Sequence, residues 1–301
     1  MNEGVAMKII NIGSLNIDHV YSVDHVVKPG ETISCGSMKD FCGGKGFNQS
    51  VALARAGLDV YHAGKVGADG EMLIDYLKEC GANVEYTLVD ARHPTGHAII
   101  QVDAAGRNSI VVYPGANGEM TEAEINEILS NFSSGDMLLM QNEVSILPYA
   151  LKKAHEKGMC IALNPSPIGD LATSPLLKYV HIFILNEIEG YDITGEADEK
   201  TICRTLLERY PGCKVVLTLG EKGCVYADGD QMIRQSAHSV HAVDTTAAGD
   251  TFTGYFLAGL QRGEPISEVL QIASKASAIA VSRPGAAPSI PARAEVLSTS
   301  I

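Results

Sequence analysis

Residues 137–163 read MLLMQNEVSILPYALKKAHEKGMCIAL, and this stretch decides the fold. Met137–Met140 and Cys160–Leu163 are short, continuous apolar runs, the pattern of strands buried on both faces. Between them Ile146–Lys157 carries apolar residues at helical spacing, and Gly158 can supply a left-handed cap. Outward from here the alternation repeats. Lys8–Gly13, Val60–Val66, Val180–Leu185 and Val215–Leu219 read as further buried strands. Gly46–Ala56, Gly70–Cys80, Thr201–Arg209, Gly249–Gln261 and Ile266–Ser282 read as helices, with Gly57 and Gly81 capping the first two. Thr121 and Glu124 form a capping-box pair ahead of the helical face Ile125, Ile128, Leu129 and Phe132. Such alternation predicts a doubly wound, mostly parallel sheet with helices on both faces, an α/β fold.

Two regions depart from it. About 18–40 and 95–113 show period-two stretches such as His97–Val102, with a turn at Ala105-Gly106-Arg107. They predict a small antiparallel β lid attached to the main sheet. No repeat or linker divides the chain, so one domain over residues 1–301 is expected.

With 301 residues, 46% hydrophobic and 20% charged, the chain can bury a full core without staples. Lys plus Arg number 23 against 36 Asp plus Glu, a formal charge of −13, which disfavours duplex nucleic acid and anionic membranes as partners. A small anionic substrate stays open, because a few local donors can hold a phosphate. The seven cysteines are odd in number and never fall in a CxxC spacing, so buried reduced thiols are expected rather than a disulfide framework or zinc knuckle. No run approaches the ~18 apolar residues of a membrane span. Met1–Ala6 lacks a basic region followed by an apolar stretch, and a cytoplasmic protein is expected.

Three segments carry candidate chemistry. In Val243-Asp244-Thr245-Thr246-Ala247-Ala248-Gly249-Asp250-Thr251-Phe252, small residues open an apolar helix. Unpaired amides at such a helix end, beside the positive end of its dipole, suit a phosphate or developing oxyanion. Asp250 there could accept a proton from an attacking hydroxyl or simply favour the helix start, and the segment alone favours the latter. In Phe41-Cys42-Gly43-Gly44-Lys45-Gly46-Phe47-Asn48-Gln49, glycines permit close backbone approach to a polar ligand, and Asn48 can donate and accept toward a hydroxyl. A plain turn into a helix is the commoner reading of a lone Gly-rich loop; neither a Walker loop nor a dinucleotide fingerprint is present. Third, Asn16 and Asp18 follow the first strand and point the same way, suited to neighbouring hydroxyls or to an ordinary turn. Gln141-Asn142-Glu143, Asn164-Pro165, Asn186–Glu189 and Thr218–Gly223 also follow strands, and this recurrence at one end of the sheet argues against coincidence. The histidines form no HExxH, and no Gly-x-Ser-x-Gly elbow exists.

Collectively these residues resemble the ribokinase family of sugar and nucleoside kinases, the PfkB-type carbohydrate kinases, from Gly13 to about Pro291. The signatures are Gly43-Gly44-Lys45-Gly46-Phe47-Asn48 and Asp244-Thr245-Thr246-Ala247-Ala248-Gly249-Asp250. Pro29–Thr32, Leu138–Gln141, Ala162–Pro165 and Gly285–Ser289 follow in family order. The resemblance implies a three-layer α/β/α fold and ATP-dependent phosphorylation of the 5-hydroxyl of D-ribose. It implies Asp250 as base with Ala247, Ala248 and Gly249 as anion hole, and Asn16, Asp18, Gly44, Lys45, Asn48 and Glu143 around the sugar. Asn186, Thr218, Gly220, Gly223, Gly249 and Ser274 would line the nucleotide site, with Asn186 and Glu189 linked to Mg²⁺. Asp244, Thr246, Ala280, Arg283, Gly285 and Ser289 would hold K⁺, and the lid would pair with its twin in a homodimer. Phe47 stands where relatives carry a small residue; its ring would either narrow the sugar pocket or point into the core. Ser274 stands where some relatives place a larger polar residue near adenine. Other sugars (deoxyribose, fructose), adenosine, or a non-catalytic sugar-binding regulator are the alternative expectations.

Overall fold

Along the chain, strands β1 (Ile9–Ile12), β2 (Asn16–Val23) and β3 (Ser37–Gly43) precede helix α1 (Lys45–Arg55). Then come β4 (Val60–Gly67), α2 (Glu71–Glu79), β5 (Asn83–Asp90), β6 (Gly96–Asp103), β7 (Asn108–Tyr113) and α3 (Glu122–Ser130). The central part holds β8 (Met137–Gln141), α4 (Leu147–Glu156), β9 (Cys160–Asn164), β10 (Ile182–Asn186), α5 (Glu187–Thr194), α6 (Glu199–Arg209) and β11 (Lys214–Thr218). It closes with β12 (Cys224–Ala227), β13 (Met232–Gln235), α7 (Ala248–Gln261), α8 (Ile266–Val281) and α9 (Arg293–Ser298). This computed structural model describes residues 7–301; the sequence reading of Met1–Ala6 lies outside them.

The main sheet runs β13-β12-β11-β10-β9-β8-β1-β4-β5, parallel from β11 to β5 and antiparallel at β12 and β13. Alternate strand residues feed two cores. Ile9, Leu139, Ile184 and Val216 pack with α1, α2, α7 and α8 on one face. Ile10, Leu138, Ile161 and Val215 pack with α3, α4 and α6 on the other. Burial on both faces is why these strands read as unbroken apolar runs. Every strand and helix taken from the pattern is present, and Gly57, Gly81 and Gly158 do adopt positive φ after their helices. The Thr121–Glu124 box is closed in both directions.

The strand order reverses between β1 and β8. Loops leaving these two strands diverge there and open a crevice at their carboxyl ends, where ligands bind in open α/β sheets. Over that crevice lies the second sheet, ordered β3-β2-β6-β7. It consists of two antiparallel pairs, as the period-two stretches imply, but their seam is parallel: Asn16–Val23 runs alongside Gly96–Asp103. All seven cysteines are free, and Cys42, Cys203, Cys213 and Cys224 are buried. Cys35 corrects the expectation of uniformly buried thiols, since it lies exposed on the lid loop. Among the described residues no helix is long and apolar enough to cross a membrane.

Candidate active site

Helix α7 begins at an unusual residue. Ala247, its N-cap, has φ 60°, the left-handed region that a Cβ resists, and it is the sole non-glycine at positive φ among the described residues. The turn it makes lets Thr251 N–H reach Ala247 O at 2.8 Å, while Ala248 N–H leans on Thr245 O at 3.3 Å. The Ala247, Gly249 and Asp250 amides have no acceptor among the described residues, so within the expected Ala247–Gly249 hole only the Ala248 amide is engaged, and the free donors extend to Asp250. The Asp250 side chain is buried, its Oδ2 accepting from Asn48 Nδ2 at 3.1 Å and its Oδ1 from Gln49 Nε2 at 2.9 Å.

Close packing brings the second segment to this point. A Cβ on Gly46 would lie 2.5 Å from the Gly13 backbone, so only glycine lets α1 settle against the loop after β1. On Gly43 a Cβ would lie 2.1 Å from Asp18 Oδ2, since the carboxylate leans across that residue from the paired strand. Burial and the neighbouring Glu143 charge push the Asp18 carboxyl up to about 7, against an opposing pull from His19. Glu143 is itself raised, chiefly by burial, although its Oε2 accepts from Ser14 Oγ and from Lys45 N–H, the latter at 2.9 Å. Burial would lower the Lys45 ammonium, but the charges of Asp250, Glu143 and Glu189 outweigh it and leave it raised. Asn16 is buried with its Oδ1 taken by Asn117 Nδ2 at 2.8 Å, which leaves its amide hydrogens for something else. Asn48 Oδ1 is buried without a partner among the described residues. An acceptor left unpaired there favours a donor from a ligand, since leaving it unsatisfied costs about 1–3 kcal/mol.

Phe47, by contrast, points away. It is fully buried in the core, its ring 5.6 Å from that of Tyr76, so the second of the two expectations holds and the crevice keeps its width.

Beyond the α7 N-terminus opens a cavity of about 560 Å³. Thr218, Gly220, Gly223, Gly249 and Ser274 come together in its lining, and Phe252, Val240, Ala278 and Val281 give it apolar walls fit for a flat base. Ser274 Oγ lies 3.8 Å from Cys224 Sγ. Asn186 is not one of its walls; it caps α5, its Oδ1 accepting from Glu189 N–H at 2.9 Å while Glu189 Oε2 accepts from Asn186 N–H at 3.0 Å. Glu189 is buried and its Oε1 takes no part in that cap. Among the described residues no cluster of three His, Cys, Asp or Glu side chains could cage a metal. Asp244 staples two loops, its Oδ1 on Thr246 N–H and its Oδ2 on Gly285 N–H, both at 2.9 Å. Ser289 Oγ donates to Ala286 O at 2.8 Å, and the Arg283 guanidinium is turned outward to Glu295.

Asn11, Ser14 and Asn117 drew no expectation from the sequence, and Gln49 and Gln141 appeared there only as members of the Gly-rich segment and of a polar cluster after a strand, with no role assigned. Each is fully or nearly fully buried. Their one available signal was polarity at positions that strand or helix spacing assigns to the interior.

A cavity lined by Ala248 and Gly249 ends at free helix-end amides, and the buried carboxylate of Asp250 beside them is held by Asn48 and Gln49. That geometry suits phosphoryl transfer to a small hydroxylated molecule, so the class is a small-molecule kinase. A model of the pfkB family of carbohydrate kinases matches residues 6–293. The ribokinase of Staphylococcus aureus (strain COL) is 35% identical over 303 residues, spanning 96% of this chain and 98% of that protein. The solved structure of Thermotoga maritima ribokinase matches with a TM-score of 0.86 at 33% identity, covering 97% of this chain and 98% of that one. Arabidopsis thaliana ribokinase, complexed with ribose and ATP, matches at 0.85 and 31% identity with the same coverage of each chain. The chain belongs to the pfkB carbohydrate kinase family.

Proposed function

We propose that this chain transfers the γ-phosphoryl group of ATP to the 5-hydroxyl of D-ribose, giving ribose 5-phosphate and ADP. One observation carries the proposal: the buried Asp250 carboxylate, bonded to Asn48, adjoins the unpaired helix-end amides of Gly249 and Asp250, and Gly249 also lines the cavity. Asp250 takes the hydroxyl proton as that oxygen attacks phosphorus, and the Gly249 and Asp250 amides receive charge on the transferring group. Asn16, Asp18, Asn48 and Glu143 bind the other sugar hydroxyls, with Gly44 and Lys45 closing that side. Thr218, Gly220, Gly223 and Ser274 hold the nucleotide. The lid excludes water, which protects ATP from hydrolysis.

Mg²⁺ would be held by Asn186 and Glu189 together with ATP phosphates; a single buried carboxylate with one uncommitted oxygen suits an ion that keeps most of its waters. When bound it neutralises phosphate charge. K⁺ would be held by oxygens of Asp244, Thr246, Ala280, Arg283, Gly285 and Ser289, hard donors suited to such an ion, and it would steady the loop before Ala247. The β7 edge of the lid exposes Ile110, Val111, Val112 and Tyr113, a flank that pairing with a second lid would cover, so a homodimer is proposed. A single domain and a cytoplasmic location, where ATP is abundant, complete the proposal.

The test is ATP consumption measured on ribose, 2-deoxyribose, fructose and adenosine. Highest kcat/KM on ribose supports the proposal. Preference for another acceptor reassigns the sugar, and no turnover with any of them turns the chain into a sugar-binding regulator.

A further inference from the structure

Gln49 has no role in the reaction as proposed, yet the sheet beneath it dictates which end of its amide meets Asp250. His62 on β4, Asn11 on β1, Gln141 on β8 and Asn164 on β9 form a polar belt across four adjacent strands, under Ser50 and Gln49 of α1. Register sets Asn11 beside His62 and Gln141 beside Asn164. All but Asn164 are fully buried.

A side-chain amide can be turned end for end, but a backbone carbonyl only accepts. Asn11 Nδ2 donates to Gly46 O at 2.8 Å, so Asn11 Oδ1 must accept, and Gln141 Nε2 supplies it at 3.1 Å. The same Nε2 donates to Gln49 Oε1 at 2.5 Å. From the other side, Asn164 Nδ2 donates to Ile184 O at 2.8 Å, so its Oδ1 accepts, from Gln49 Nε2 at 3.0 Å. Two separate carbonyls therefore fix the Gln49 amide in one orientation. Its remaining hydrogen goes to Asp250 Oδ1 at 2.9 Å.

We propose that Gln49 is a positioning residue for Asp250, held to that task by Gln141 and Asn164. It fixes the rotation of the carboxylate and presents a donor to it, never the repelling amide oxygen. This rests on the kinase proposal with Asp250 as base.

The experiment is steady-state kinetics on ribose with the full chain, with rates expressed per ribose-binding site counted by calorimetry. Gln49→Glu keeps length and keeps an acceptor for Gln141, but turns oxygen toward Asp250. kcat per site should fall on the order of 100-fold with ribose KM within about threefold, as for a misplaced catalytic group. Gln141→Met should lower kcat about tenfold. The double variant Gln49→Met/Gln141→Met should be no slower than Gln49→Met, because Gln141 acts only through Gln49. If Gln49→Glu does not fold, the two Met variants carry the same comparison. Multiplying losses, or kcat per site within twofold of wild type in the Gln49 variants, overturns the inference. Asp250→Asn measured alongside separates the cases: if it stays active the base assignment fails, and if it is dead while Gln49 variants are fast only the positioning role fails.

Discussion

Ribose capture should weaken as pH falls, and Asp18 sets the range. Its carboxyl is pushed from an ordinary 3.8 up to about 7 by burial first and the Glu143 charge second. Only the ionised form accepts hydrogen bonds from sugar hydroxyls on both oxygens. With a pKa near 7, about nine tenths of the sites are ionised at pH 8 and about one tenth at pH 6. The KM for ribose should therefore rise roughly tenfold over that interval. The same shift burdens the fold. Between 3.8 and about 7 the native state holds a proton that the unfolded chain has released, so stability falls as pH rises through that window. Three units amount to at most about 4 kcal/mol, and partial exposure reduces this to on the order of 1–2 kcal/mol. Asp18→Asn should thus flatten the pH dependence of KM, weaken ribose binding at pH 8, and raise the Tm by about 2–3 °C at pH 8, with a smaller gain at pH 5. KM measured at fixed saturating ATP, with parallel calorimetric melts, tests both arms. A wild-type KM constant within twofold from pH 6 to 8, or an equal slope in Asp18→Asn, refutes the argument.

Asp250→Asn should retain ribose binding by calorimetry and lose at least about 100-fold in kcat, the low end of general-base catalysis; a loss under tenfold counts against the assignment. Wild type should favour ribose over 2-deoxyribose by roughly tenfold to a hundredfold in kcat/KM, since a missing hydroxyl leaves Asp18 under-satisfied. Asp18→Ala should erase most of that preference, and equal use of both sugars by wild type would remove ribose while leaving the kinase. Phe47→Ala should cost about 3–5 kcal/mol in urea unfolding with ribose KM nearly unchanged, because the ring fills the core; a large KM change would place the ring in the pocket. Turnover should be faster in potassium than in sodium or tetramethylammonium chloride, and identical rates in all three would dismiss the monovalent site.

Much of the architecture was legible because one local rule generates it. A strand buried on both faces must be apolar throughout, and β1, β4, β8, β9, β10 and β11 all show that signal. β5 did not, since it is half-exposed along the sheet margin, nor did β12 and β13, which have four residues each. α5 was hidden by its own cap: Asn186 and Glu189 drew a metal-linked expectation, while in the fold they close a capping box.

For the site, the sequence marked the segments around Asp250, Asn48, Asn16 and Asp18 as candidates, because glycines, small residues and polar groups beside strand ends mark where backbone or ligand can approach, but roles for these residues came only with the family resemblance. It could not say which way Phe47 points, since a helix start offers both directions until α2 packs against it. Nor could it reveal Gln49 as the partner of Asp250, 201 residues away, or the two carbonyls that orient it. Periodicity and turn chemistry act over a few residues and are written into the sequence directly. Hydrogen-bond polarity across four strands exists only once the strand order β9-β8-β1-β4 sets Asn164, Gln141, Asn11 and His62 side by side, and that order is a property of the folded sheet.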